Sequence, residues 1–251
     1  MKKIFISAIL LTVLLLTFSA CRRTGQAKEV AIQDKTPVSF VSPQIEAQVR
    51  TLLEKPEGEI FQYEVDTIKE LHFRGDEGDD TPATLEDIPK FKNLEVLRVQ
   101  YGAIKDLSPL AGCTQLQQLY LSSNNISDLT PLTDLTQLDH LALRKNDITD
   151  VSALSGLIKL TSLALNQNSI SDITPLSNLI EMKYLYLDDN NLTSIEGLSA
   201  MKKLYVFDAN NNKITDLGPL ANMARLQRVS VKGNPITDFS AVTTAKEIYK
   251  D

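Results

Sequence analysis

The sequence predicts an α/β solenoid, in which short strands stack into one parallel sheet and short helical turns return the chain along the other side. Three observations lead to this fold class: a 22-residue repeat, an alternating apolar pattern within each repeat, and Ser-Pro or Thr-Pro pairs that follow the pattern. With 251 residues and 43% hydrophobic content, the chain can bury a substantial core without help from disulfides.

The repeat has the pattern L-x-x-L-x-L-x-x-N-x-I, and seven copies follow one another without a gap. Their first residues are Leu94, Leu116, Leu138, Leu160, Met182, Leu204 and Leu226. The L-x-L segment alternates with a period of two residues, which predicts a strand with its leucines pointing inward. Six copies carry Asn at the ninth position, and Gly102 replaces it in the first. We expect each Asn amide to satisfy backbone groups where the chain leaves the strand.

The second half of each repeat predicts short 3₁₀ turns on the convex side. In pairs such as Ser108-Pro109, the hydroxyl can cap a helical turn, and the proline has the backbone angle of the first helical residue. Six copies also share an aspartate that we expect to bond with local backbone in this turn. These residues are Asp106, Asp128, Asp150, Asp172, Asp216 and Asp238. Cys113 occupies an apolar position of the repeat, which indicates a core thiol and not a nucleophile.

This repeat resembles that of the bacterial leucine-rich-repeat proteins of the internalin type, whose repeats are also 22 residues long with the same skeleton. The resemblance is strong over residues 94–247 and looser over the preceding fifty residues. It implies a right-handed leucine-rich-repeat horseshoe with a parallel sheet on the concave side. It also implies protein binding, although such repeats serve many different partners.

The residues before the repeats predict an N-terminal cap, because a repeat stack exposes apolar surface at its ends unless something covers it. Ser42 and Pro43 mark the start of a helix, which we expect to run to Lys55. The apolar residues that share one face of this helix are Ile45, Val49, Leu52 and Leu53. We therefore interpret residues 41–67 as the cap.

Residues 68–93 predict an irregular first coil. Ile68, Leu71 and Phe73 match the three strand positions, but they lie 26 residues before the next copy instead of 22. The four extra residues fall in an acidic loop, residues 76–80. This loop lacks the ligand spacing of a known calcium motif, so we interpret it as a solvated loop and not as a metal site.

Seven repeats and a C-terminal tail fill residues 94–251. Ile248 has the spacing of an eighth copy's first residue. We expect the charged residues 243–250 to shield the last coil, unless a partner does so.

Residues 1–20 predict a signal peptide. Lys2 and Lys3 are followed by seventeen uncharged residues that end in small side chains before Cys21. The segment from Phe18 to Cys21 resembles the lipobox of bacterial lipoproteins, which implies that Cys21 is the lipidated N-terminus of an exported chain. An uncleaved membrane anchor is the alternative. The polar residues that follow predict a flexible tether, so we assign residues 21–40 to the lipidated cysteine and tether.

The outward positions of the strands predict the binding face. Four of the seven tyrosines and both histidines fall there, and aromatic and Arg side chains on a rigid surface are typical of recognition. The residues expected to bind a ligand are Arg98, Tyr120, His140, Arg144, Tyr184, Tyr186, Asp188 and Asp208. Ala142 and Ala164 predict a shallow depression between the tyrosines, although packing of aromatics across neighbouring strands is the alternative interpretation. The charges predict a basic N-terminal half and an acidic C-terminal half of this face.

Composition argues against other classes of function. Two cysteines, two histidines and the lack of a recognisable catalytic or metal motif predict no enzyme activity, no cofactor and no metal. A formal net charge of −6 argues against a nucleic-acid partner. We therefore predict a lipid-anchored protein of the bacterial envelope or cell surface that binds a protein ligand, in adhesion, host contact or envelope assembly. A glycan is the alternative ligand, because Tyr rings beside Asp and Asn also suit sugars.

Overall fold

The computed structural model describes residues 33–75 and 81–251, and residues 34–251 form one compact unit. The predicted signal peptide, Cys21, most of the tether and the acidic loop at 76–80 lie outside the described residues. Within the described ranges, no helix is both long enough and apolar enough to cross a membrane.

The cap contains helix α1 (Pro43–Leu52), which begins after Ser42. The Ser42 hydroxyl accepts a hydrogen bond from the amide of Ile45, and Pro43 occupies the first turn. Ile45 and Val49 are fully buried, but Leu52 is 50% exposed, contrary to the predicted apolar face. The helix ends at this residue, and Leu53 packs against the core instead.

The rest of the cap is short. Strands β1 (Pro37–Val38) and β2 (Ile60–Phe61) pair antiparallel, and helix α2 (Gln62–Val65) follows directly. The cap is joined to the repeats through Asp87, whose buried carboxylate accepts hydrogen bonds from the amides of Val41 and Ser42 and pairs with Lys90. Burial raises the pKa of Asp87, but the bonds from Lys90 and the two amides outweigh it and hold the pKa below its ordinary value.

One parallel sheet of nine strands runs through the described repeats, with its strands in sequence order. The strands are β3 (Glu70–Arg74), β4 (Val96–Gln100), β5 (Gln118–Tyr120), β6 (His140–Ala142), β7 (Ser162–Ala164), β8 (Tyr184–Tyr186), β9 (Val206–Asp208), β10 (Arg228–Ser230) and β11 (Glu247–Tyr249). Each is followed by a return segment with a short 3₁₀ turn, except the last. The predicted parallel solenoid is confirmed.

The 3₁₀ turns lie opposite the sheet, at Ile88–Lys90, Ser108–Leu110, Thr130–Leu132, Ser152–Leu154, Thr174–Asn178, Glu196–Leu198, Gly218–Leu220 and Ser240–Val242. Each of the six repeated aspartates accepts a hydrogen bond from the amide two residues later, at 2.7–2.8 Å. Ser194 holds the same position in the remaining copy, and its hydroxyl accepts from the amide of Glu196. The aspartates therefore shape the entry to six of these turns, as predicted.

Strand register differs from the 22-residue spacing at both ends. Glu70 pairs with Val96, so the first coil is four residues longer, as the sequence predicts. At the other end Ile248 pairs with Val229, only 19 residues earlier. Ile248 therefore fills the second apolar position of a shortened coil and does not begin an eighth copy. The prediction was wrong because the last return segment is three residues shorter than the others.

The apolar positions of the repeat fill a continuous core between sheet and turns. The three leading positions of the central copies are almost completely buried, with Leu163 and Phe207 at 0% exposure. Stacked coils thus remove from water the face that a single coil could not cover alone.

The repeated asparagines join each coil to the one before it. Asn168 Nδ2 donates to the carbonyl oxygens of Leu165, in its own coil, and Leu143, in the preceding coil, at 2.9 and 3.0 Å. Its Oδ1 accepts from the amide of Ile148, also in the preceding coil, at 3.0 Å. The same three bonds recur at Asn124, Asn146, Asn190, Asn212 and Asn234.

The residue before the ninth position has a left-handed backbone in all seven copies. These residues are Tyr101, Ser123, Lys145, Gln167, Asp189, Asn211 and Gly233, with φ between 54° and 67°. The turn is sharp enough to aim the following Asn side chain back between the coils. In the first copy Gly102 leaves room for this arrangement, because a Cβ there would lie 2.9 Å from Oδ1 of Asn124.

We predict that Asn168→Ala lowers the free energy of unfolding by about 1–3 kcal/mol, because it leaves two carbonyls and one amide without their partner. Denaturant unfolding measures the change. Ser169→Ala is the matched control, since Ser169 is exposed and adjacent. Equal unfolding curves for the two variants would contradict the role of the asparagine.

Candidate binding face

We call the outward side chains of the nine-stranded sheet the concave face. On strands β3 to β10 they flank buried residues, as His140 and Ala142 flank Leu141 in β6, whereas the central residue of β11, Ile248, is partly buried. Parallel pairing in register places equivalent residues in columns, so Tyr120, Ala142, Ala164 and Tyr186 follow one another on strands β5 to β8. The two alanines therefore separate the two tyrosines, as the sequence predicts.

In the N-terminal part of the concave face, the side chain of Arg98 stacks on the ring of Tyr120. The guanidinium carbon of Arg98 lies 3.9 Å from the ring centroid of Tyr120, and Arg98 Nη1 donates to Oε1 of Gln100. The Tyr120 hydroxyl donates to Oε1 of Gln118 at 2.9 Å. Both members of the pair are held in place before any ligand arrives, which lowers the entropic cost of using them for binding.

The middle of the concave face carries His140 and Arg144. His140 Nδ1 lies 2.6 Å from Oδ1 of Asp139, and both side chains are about 40% exposed. Arg144 is exposed, and its Nε donates to Oε1 of Gln167 in the next coil. The Arg144 bond joins neighbouring coils, the His140 contact stays within one coil, and both side chains remain accessible.

Aromatic side chains concentrate towards the C-terminal part. Tyr184 is 37% exposed and Tyr205 is 46% exposed, and their rings pack edge to face with centroids 6.1 Å apart. Tyr205 was not among the predicted site residues. Its signal in the sequence is its repeat position, just after Leu204, where the other copies carry polar residues.

Asp208 departs from the prediction. It points outward from β9, but only 4% of it is exposed, whereas we expected an accessible carboxylate. Tyr186 and Ser230 neighbour it on the adjoining strands, and Arg228 donates to its Oδ2 at 2.8 Å. Burial raises the pKa of Asp208, and the charge of Arg228 offsets this only in part because Asp188 acts in the same direction as burial.

The buried surroundings of Asp208 also change the pKa of the neighbouring Tyr186. Burial raises the pKa of its hydroxyl, and the charge of Asp208 raises it further. Asp208 Oδ1 is buried and has no hydrogen-bond partner among the residues that the structure describes. This part of the concave face thus holds a carboxylate that is only half satisfied.

Asp188, in contrast, is well satisfied. Its Oδ1 accepts from the backbone and side-chain amides of Asn210 at 2.9 and 2.6 Å, and its Oδ2 accepts from the side chain of Asn166. These residues border a cavity of about 290 Å³. Its lining is Arg144, Asn166, Gln167, Asp188, Asp189, Asn210 and Asn211. Most polar atoms of the lining are already bonded to one another.

The predicted division of charge along the concave face needs correction. Arg228 lies within the half that we expected to be acidic, paired with Asp208, and Lys232 follows on the same coil. Both cations lean towards the last strand, with Arg228 5.6 Å and Lys232 5.8 Å from the ring centroid of Tyr249. The acidic surplus is therefore confined to the surroundings of Asp188, Asp189 and Asp208.

The side chains that the structure describes contain no group of three or more His, Cys, Asp or Glu that could hold a metal ion. Burial raises the pKa of the Cys113 thiol to about 11, so the thiolate is scarce at neutral pH. What the concave face does offer is rigid aromatic and charged surface, which suits binding.

A family model of leucine-rich repeats matches three stretches of the chain, residues 87–134, 136–178 and 180–222. Together they cover more than half of the 251 residues. Comparison with curated protein sequences gives no significant match.

Three solved structures are similar to this chain. Internalin C2 of Listeria monocytogenes has 31% sequence identity and a TM-score of 0.81, over 88% of this chain and 99% of its own. Internalin F of the same organism has 27% identity and a TM-score of 0.58, over 84% of this chain and 76% of its own. A leucine-rich-repeat protein of Leptospira interrogans shares the fold at 21% identity and a TM-score of 0.67, over 75% of this chain and 51% of its own.

We predict that Asp208→Asn raises the melting temperature at neutral pH. The folded pKa of Asp208 is above the unfolded value, so its ionised form costs stability at high pH, and that cost disappears as the pH falls through the folded pKa. The difference between variant and parent should therefore be largest near neutral pH and shrink in acid. Thermal unfolding followed by circular dichroism across a pH series measures it.

The matched control is Asp188→Asn, which removes the same charge from a carboxylate that accepts three hydrogen bonds. We expect it to lower the free energy of unfolding by about 1–3 kcal/mol, because an amide cannot replace all three accepted bonds. A lower melting temperature for Asp208→Asn at neutral pH would show that the ion pair with Arg228 outweighs the burial of the carboxylate.

Proposed function

The chain belongs to the leucine-rich-repeat proteins of the internalin type, and from this premise we propose that it is an exported, lipid-anchored protein that binds a protein ligand on its concave face. The fold supports binding as the general function, because stacked repeats present an extended, rigid surface. Adhesion, contact with a host and assembly of an envelope complex are all uses of such a surface.

One observation carries this proposal: large aromatic side chains stay partly exposed in strand β8 and directly before strand β9, where burial would ordinarily be favoured. Tyr184 and Tyr205 pack on each other and still expose more than a third of their surface. Tyrosine offers a large contact area with few rotatable bonds, so little conformational entropy is lost when it meets a partner. Arg98 on Tyr120 adds a second such platform at the other end of the face.

A protein ligand fits the concave face better than a glycan. The polar cavity beside the tyrosines is lined by amides and carboxylates that would suit a sugar. However, Asp188, Asn166 and Asn210 already satisfy one another there. A sugar hydroxyl would have to break these bonds before forming its own, whereas the exposed ring surfaces of Tyr184 and Tyr205 can contact a partner directly. We therefore keep the glycan as an outcome of the experiment below.

The proposed anchor rests on the sequence alone. An uncharged segment after Lys2 and Lys3 and small residues before Cys21 support cleavage and lipidation at that cysteine. One acyl chain gives weak membrane attachment, and several chains give stable attachment.

We expect Cys21→Ser to move the protein from the membrane fraction to the soluble exported fraction of producing cells, because the variant lacks the acylated thiol. Immunoblots of the separated fractions, with mass spectrometry of the mature N-terminus, give the measurement. Membrane attachment that survives the substitution would favour the uncleaved anchor.

For binding, we expect the protein to capture a partner from envelope or host-cell extracts, and the double variant Tyr184→Ala, Tyr186→Ala to capture at least about tenfold less of it. The variant must first show the melting temperature of the parent. Quantitative mass spectrometry of the captured proteins measures the difference.

The matched control is Ile158→Ala, Ile180→Ala. It removes two exposed apolar side chains from the segments that lead into β7 and β8, outside the concave face. Equal capture by parent and tyrosine variant would move the binding site to another surface. Capture that disappears after deglycosylation of the partner would favour the glycan.

A further inference from the structure

The feature that stands out on the concave face is the half-satisfied carboxylate of Asp208. An ionised carboxylate can accept about four hydrogen bonds, and burial without them is costly. Asp208 is more than nine-tenths buried, and its Oδ2 accepts a hydrogen bond from Arg228. Its Oδ1 has no partner in the described part of the chain. A purely structural role does not account for this arrangement.

The surroundings of Asp208 are negative and aromatic. Asp188 lies close enough to disfavour its ionised form, and Tyr186 neighbours it in the adjoining strand. The nearby cations do not fill the gap on the Oδ1 side, because Arg228 and Lys232 lean towards the ring of Tyr249. A positive charge placed beside Oδ1 would gain from both carboxylates.

We propose that Asp208, together with the rings of Tyr184 and Tyr186, forms a subsite for one cationic side chain of the partner, a Lys or an Arg. The inference rests on the proposed function and names the chemistry of the partner at this part of the face. The cation binds Oδ1 while Oδ2 keeps its bond from Arg228, and the tyrosine rings contact the cation and its aliphatic stem.

Access to Oδ1 requires a small rearrangement, because the atom is buried in the free protein. Arg228 is the side chain that can shift while its guanidinium keeps the bond to Oδ2, since it is 45% exposed. A neutral donor would satisfy the same oxygen but would leave the surplus of negative charge in place. A cation both donates a hydrogen bond to Oδ1 and neutralises the surplus negative charge, so the site favours a cation over a neutral donor.

The site also explains why an unfavourable carboxylate is present. Binding surfaces commonly hold groups that lower the stability of the free protein and gain their partner only in the complex. On this view Asp208→Asn leaves the fold intact and weakens binding, so the loss of binding is separable from unfolding.

A displayed library of random linear peptides, selected on the purified protein, tests the proposal. We expect the selected peptides to share a Lys or Arg, and their affinity to fall at least about tenfold for Asp208→Asn. Asp134→Asn is the control, because it removes one negative charge from an exposed position on the convex side. Fluorescence anisotropy of the labelled peptides measures the dissociation constants.

A double-mutant cycle isolates the contact. Replacing the peptide's Lys by norleucine, or its Arg by an uncharged analogue, should weaken binding to the parent. The same replacement should have little effect on binding to Asp208→Asn. Additive losses, peptides without a cation, or a library that yields no binder would overturn the subsite.

The same peptides separate the subsite from the face as a whole. Peptides that lose affinity for Tyr184→Ala, Tyr186→Ala but bind Asp208→Asn as well as the parent would overturn the subsite and leave the proposed concave face standing. Peptides that are indifferent to both variants would overturn both.

Discussion

The hydrogen bonds of the repeated asparagines are the interaction on which the rest of the structure depends. A coil of 22 residues must turn sharply between a strand and a return segment, and the turn buries backbone groups that helix or sheet would ordinarily satisfy. Each Asn side chain supplies three of the missing bonds, and most of these residues are buried. Neighbouring coils are therefore held at a constant offset, and the leucines of successive coils meet in one core.

A constant offset is also what turns separate strands into a binding face. Because equivalent positions lie side by side, a substitution at one outward position of one repeat changes one place on the surface and leaves the buried leucines untouched. Two contacts depend on this alignment: Arg98 stacks on Tyr120, and the ring of Tyr184 packs against that of Tyr205. The same alignment can also bury a charged group. The side chains on the strands beside Asp208 cover its carboxylate, which an isolated strand would leave in water.

Periodicity made most of the fold predictable from sequence: strand positions, inward leucines, the bonds of Asn168 and the turns entered by aspartate all follow from it. It could not predict features that depend on how a particular coil is filled. Ile248 pairs with Val229, three residues sooner than the repeat predicts, because the last return segment is short. Leu52, at the end of its helix, is half exposed and does not pack against the core. The burial of Asp208 depends on the size of Tyr186 and the reach of Arg228, and neither is a property of position within the repeat.

The asparagine bonds have a direction, because the contacts that each Asn makes outside its own coil all reach the preceding coil. A coil that has just formed therefore needs only the coil already in place, and nothing downstream, to complete its own asparagine bonds. A polypeptide that emerges N-terminus first, from a ribosome or through a secretion channel, can then fold one coil at a time onto the cap. The polarity of the ladder thus matches the direction of synthesis, because each new coil can complete its asparagine bonds before the coil that follows it exists.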